Sequence, residues 1–81
     1  LIEFRITFKD VLGALARAAA VLAENGVDLL SSESRTLRRG ESAEWFAIAD
    51  VSRCKCKLEE LKQKILKEGA VEVVEYRSFL Y

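Results

Sequence analysis

Ile2-Glu3-Phe4-Arg5-Ile6-Thr7-Phe8-Lys9-Asp10-Val11-Leu12-Gly13-Ala14-Leu15 changes its hydrophobic period midway, and that change directs the reading of the fold. Up to Phe8 the residues alternate. Ile2, Phe4, Ile6 and Phe8 fall on one face, and Glu3, Arg5 and Thr7 on the other, as in a half-buried strand. Beyond Asp10 the apolar positions Leu12, Leu15, Ala19 and Leu22 recur at spacings of three and four, which predicts a helix over Val11–Glu24. Asp10 stands where an N-cap belongs, its carboxylate placed to accept backbone N–H bonds from the first turn. Ala14, Ala16, Ala18, Ala19, Ala20 and Ala23 keep this helix slim, so it can approach a sheet closely. Asn25-Gly26 then supplies a C-terminal stop, with Gly26 suited to the left-handed position.

The remaining elements follow outward from this strand-to-helix junction. Val27–Leu37 reads as a second strand that opens on Val27, Leu29 and Leu30 and turns polar through Ser31, Ser32, Glu33, Ser34 and Arg35. A strand of that kind belongs at a sheet edge or on a contact surface. Arg38-Arg39-Gly40-Glu41-Ser42 is a turn, and Glu44–Ser52 a third strand. Phe46 and Ile48 point one way there, and Trp45, Ala47, Ala49 and Val51 the other, so the two strands form an antiparallel hairpin. After the polar stretch from Arg53 to Lys57, Leu58, Leu61 and Ile65 mark a second helix. Glu60 and Lys64 make a favourable i,i+4 pair on it, and Gly69 ends it. Val71, Val73 and Val74 begin a last strand that can run to Phe79. The order βαββαβ is the ferredoxin-like arrangement, an α+β fold in which two helices cover one face of a four-stranded antiparallel sheet.

Composition bounds what such a domain can do. Its 81 residues suit one domain, 1–81, and 51% hydrophobic with 32% charged residues argue for a folded chain. The 13 basic and 13 acidic residues cancel, so the basic excess of a nucleic-acid binder is missing. Trp45, Phe46, Phe4 and Phe8 could be read as a base-stacking platform, and Arg38-Arg39-Gly40 as the start of an RNA-binding strand. The Phe/Tyr pattern expected after that strand motif is absent, and packing explains the rings. No apolar run reaches the roughly 18–20 residues that span a bilayer, and no signal peptide is visible. With no Met in the chain, the expectation is an excised or trimmed domain.

Chemistry is sparse. With no histidine, Ser–His and Cys–His nucleophile systems are excluded. Gly13, Gly26, Gly40 and Gly69 are isolated and form no phosphate cradle. Cys54-Lys55-Cys56 is half of a zinc site at most. A bridge across that spacing would be strained and would staple almost nothing. Reduced thiols in the cytoplasm are therefore expected, with no metal and no cofactor. The informative stretch is Phe8–Leu15. A helix N-terminus carries free N–H groups and partial positive charge, which suits a carboxylate, and Gly13 has no side chain to bar a ligand or neighbouring backbone.

Over almost its whole length the chain resembles the ACT domain family. The carriers are the strand Ile2–Phe8, the Asp10-x-x-Gly13-x-Leu15 turn, Gly26-Val27-Asp28-Leu29, and the second helix with Gly69-Ala70-Val71. The resemblance implies a non-enzymatic regulatory domain attached to an enzyme or transcription regulator. Such a domain would bind an amino acid or similar small metabolite where two copies meet. It also implies a binding site at Asp10, Leu12, Gly13 and Asp28. Backbone N–H groups near Leu12 and Gly13 would take the carboxylate, and Asp28 and Asp10 the ammonium. Two positions depart from the family pattern: Leu12 stands where Pro is frequent, and Asp28 where Asn is frequent. An ionised Asp accepts hydrogen bonds but donates none. A module that pairs without any ligand is the alternative reading.

Overall fold

The chain folds, in a computed structural model that describes residues 1–9 and 12–78, as β1 (Ile2–Phe8), α1 (Ala14–Glu24), β2 (Asp28–Arg38), β3 (Ser42–Asp50), α2 (Leu58–Leu66) and β4 (Val71–Ser78). The strands form one antiparallel sheet in the order β2-β3-β1-β4. The ferredoxin-like expectation holds.

Alternation in β1 and β3 does what its period requires. Phe4, Ile6 and Phe8 are buried beside Trp45, Ala47 and Ala49, and α1 and α2 lay Ala14, Ala18, Leu22, Leu61 and Ile65 on this face. Arg5, Glu44 and Phe46 belong to the opposite face, since Arg5 stands opposite Phe46 and Thr7 opposite Glu44 in the register. A β-bulge in β4 pairs Phe8 with Val71 but Thr7 with Val73, so Glu72 is the extra residue. The bulge lets Val71 and Val74 both reach the core, although three positions of regular strand would set them on opposite faces.

α1 stops as expected. Gly26 is left-handed at φ 82°, its N–H donates to the Ala23 carbonyl at 3.1 Å, and the Val27 N–H donates to the Leu22 carbonyl at 3.0 Å. These are the two bonds of a Schellman motif. The hairpin turn closes through the Glu41 N–H on the Arg38 carbonyl at 2.9 Å, with Gly40 at φ 79°.

Four local expectations are corrected. α1 begins at Ala14 rather than Val11, because Gly13 takes a left-handed φ of 82° and serves as N-cap. The capping expectation at Asp10 lies outside the described residues, as does Phe79. Leu12 is therefore off the helix and fully exposed instead of part of its apolar stripe. Gly69 does not stop α2: the helix ends at Leu66, and the N–H groups of Lys67 and Glu68 close it on the carbonyls of Gln63 and Ile65. Lys64 donates not to Glu60 but to Asn25 Oδ1 at 2.9 Å, tying α2 to the end of α1.

Candidate functional site

β2 is the strand that the helices leave uncovered. All eleven of its residues are exposed. Its register on β3 sets Ser32, Ser34 and Thr36 opposite Ala47, Trp45 and Ala43, which places them on the helix-facing side. These side chains are small. The late start of α1 and its alanines leave further space. The result is a hollow of about 630 Å³ between the N-terminus of α1 and the second half of β2. Phe8, Leu12, Gly13, Leu15, Ala16, Ser34, Arg35, Thr36 and Ala43 line it. This volume is within the range of small-molecule sites, about 300–1,000 Å³.

The chemistry of the hollow comes from backbone and hydroxyl groups. Among the described residues no side chain caps the start of α1, and its first turn holds no acidic residue. The leading N–H groups of an α-helix have no partner within the helix, and the helix end carries about half a positive charge. Across the hollow stand the hydroxyls of Ser34 and Thr36, able both to donate and to accept. Arg35 lines the same space, but its guanidinium donates to Glu44 Oε1 at 2.7 Å. Arg5 donates to Glu44 Oε2 at 2.9 and 3.2 Å, so the buried Glu44 carboxylate bridges two arginines. Hydrogen bonds from Arg35 and Arg5 hold the Glu44 carboxyl below the usual glutamate range. This bridge ties β1, β3 and β2 together on the sheet face opposite the helices.

Leu12 and Gly13 of the sequence-derived site come together here. Asp28 does not join them. It pairs with Asp50 at the far end of β2 and lines a separate hollow of about 470 Å³ with Gly26, Val27, Asp50, Ser52 and Arg53. It is also on the sheet face opposite the helices, one register position from Leu29 and Ala49. Asp50 Oδ1 accepts the Ser52 N–H at 2.9 Å, and the bonds from Ser52 lower the Asp50 carboxyl. Phe8 and Leu15 end the stretch that the sequence marks as informative, whereas Ser34, Thr36, Ala16 and Ala43 were not singled out for binding in the sequence. The alternation Ser32, Ser34, Thr36 in an otherwise uncovered strand is the signal that could have found two of them. Among the described residues no group of three His, Cys, Asp or Glu side chains gathers to hold a metal. No helix among them is long and apolar enough to cross a membrane.

The fold is similar to that of solved ACT domains. The crystal structure of the ACT domain from GTP pyrophosphokinase of Chlorobium tepidum superposes with a TM-score of 0.70 at 15% identity, over 94% of this chain and 95% of that one. Its solution structure gives 0.68 at 21% identity, over 99% and 89%. The C-terminal domain of the MgtC protein from Mycobacterium tuberculosis gives 0.66 at 15% identity, over 94% and 83%. A formyltetrahydrofolate deformylase from Pseudomonas putida gives 0.77 at 10% identity; the match covers 95% of this chain but 28% of the deformylase. No protein-family profile and no curated protein sequence matches the chain.

Proposed function

We propose that this chain is a regulatory domain that binds an amino acid or a similar small metabolite in the α1/β2 hollow, where two copies meet. It would act on an attached or partner protein and not as an enzyme. The observation that carries this reading is the glycine-led start of α1, capped by no side chain among the described residues, facing Ser34 and Thr36 across a hollow of ligand size. A ligand carboxylate suits the free N–H groups at the helix start, and the hydroxyls suit an ammonium or amide. Asp10, on the connection into α1, remains our candidate for the ammonium. Fold neighbours that are ACT domains support the regulatory class. No histidine stands in the chain, and the described lining residues include no carboxylate, which fits binding better than acid–base catalysis.

Pairing belongs to the same reading. β2 is a long, uncovered edge, and its bulged Leu30 and Leu37 are about half exposed at 50% and 48%. Such an edge is a template for another strand. Antiparallel pairing of two β2 edges about an axis at Glu33 would set Asp28 of one copy against Arg38 of the other. Asp28 would then reach the hollow's end of the sheet from the partner, as an ion-pair partner of Arg38. In this reading the domain works in the cytoplasm, which suits its two free cysteines.

A thermal-shift screen of amino acids tests the proposal. A ligand at about 100 times its Kd adds roughly 2.7 kcal/mol, several degrees for a domain of this size. A selective shift that Thr36→Val reduces supports it. A folded, paired chain that no amino acid stabilises would instead favour a module that only pairs, the reading to which the full exposure of β2 also lends itself.

A further inference from the structure

Cys54 and Cys56 lie on the loop between β3 and α2, away from the α1/β2 hollow. Both are half-buried and free, and their Sγ atoms are 3.9 Å apart. Asn25 Oδ1, which accepts from Lys64 Nζ, is 3.8 Å from Cys56 Sγ. The thiol hydrogen of Cys56 thus has two acceptors within reach. The loop backbone around the pair is pinned. The Cys54 N–H donates to the Val51 carbonyl at 3.0 Å, and the Lys55 N–H to the Asn25 carbonyl at 2.8 Å. Gly26 packs so tightly on this loop that an added Cβ would run into the Arg53 carbonyl oxygen.

A pinned loop has opposite effects on the two sulfurs. It holds them in contact, which favours reaction between them. It also resists the last movement to a bond length of about 2.05 Å. A disulfide closed against such resistance is readily reduced, and strained bonds of this kind are the labile or regulatory ones. A tetrahedral zinc site would need about four donors, and no third metal-binding side chain joins these two among the described residues.

We propose that Cys54 and Cys56 form a reversible thiol–disulfide exchange site for a low-molecular-weight disulfide of the glutathione class. The Cys54 thiolate attacks one sulfur of the small disulfide. A mixed disulfide forms, and one small thiolate leaves. Cys56 then gives up its proton and attacks Cys54 Sγ, which expels the second small thiolate. The two protein thiols lose two electrons and two protons, and the small disulfide gains them as two thiols. Burial, then the adjacent Cys54, raise the Cys56 thiol above the usual cysteine range. That suits Cys56 to the second, resolving step, since the thiolate is the nucleophile.

The test is intact mass after incubation of the chain with oxidised glutathione and trapping of residual thiols by alkylation. The expected product is lighter by two hydrogen atoms, resists alkylation at both positions, and returns to the dithiol with excess reduced glutathione. Cys56→Ser is expected to keep one glutathione on Cys54. A glutathione adduct retained by the unaltered chain, a disulfide-linked pair of chains, unreacted thiols, or a bond that survives reduced glutathione would each overturn the proposal.

Discussion

Gly13 and Gly26 both adopt a φ of 82°, yet their surroundings differ. Among the described residues a Cβ at Gly13 would meet only the tip of Arg17, at 3.1 Å, and that side chain can move. Gly13→Ala should therefore cost little beyond the left-handed backbone penalty, about 1–2 kcal/mol. At Gly26 the obstacle is the Arg53 backbone carbonyl, which cannot move without the loop. Gly26→Ala should cost about 3 kcal/mol or more, through strain and disruption of the turn. Urea denaturation compares the two, and equal losses would contradict this assignment. Glu44 supplies the pH dependence. Its folded pKa is lowered by Arg35 and Arg5, so its contribution is fully present above the ordinary glutamate pKa of about 4.3. It is lost as pH falls from there through the lower folded value. Glu44→Gln should flatten the loss of stability over that acid range. An unchanged acid profile would show that the arginine bridge carries no linkage.

Among the elements, β2 departs most from a simple core strand. Its edge position was legible in the run Ser31–Arg35, because a strand with nothing large to bury belongs where it need not bury it. The other strands and both helices were legible from their periods. The start of α1 was not, since Leu12 fits the helical spacing while Gly13 turns the backbone left-handed and begins the helix beyond it. The bulges in β2 and β4 also escape a period-two reading, because each shifts the register by one residue. The exposed β2 edge leads to a prediction about pairing. Asp28→Arg should weaken self-association by about tenfold, as a modest surface ion pair recurs by symmetry. Adding Arg38→Asp should restore it. Sedimentation equilibrium measures both, and failure of the double variant to recover would reject this register.

For the molecule as a whole, the fold was readable and the site only partly so. Leu12 and Gly13 stand on one short turn, so local sequence could bring them together. Ser34, Thr36 and Ala43 join them only through the sheet order and the register of β2 on β3. Asp28 shows the reverse case: a residue near Gly26 in a recognisable motif is carried to the far end of the same strand. The fold alone does not name the ligand. The most direct test of the hollow as the binding site is a 1H–15N NMR titration of the chain with the amino acid that stabilises it most. The account predicts the largest shifts at the amides of Gly13, Ala14, Leu15, Ser34 and Thr36. Shifts centred on Asp28, Ser52 and Arg53, or none with any amino acid, would contradict it.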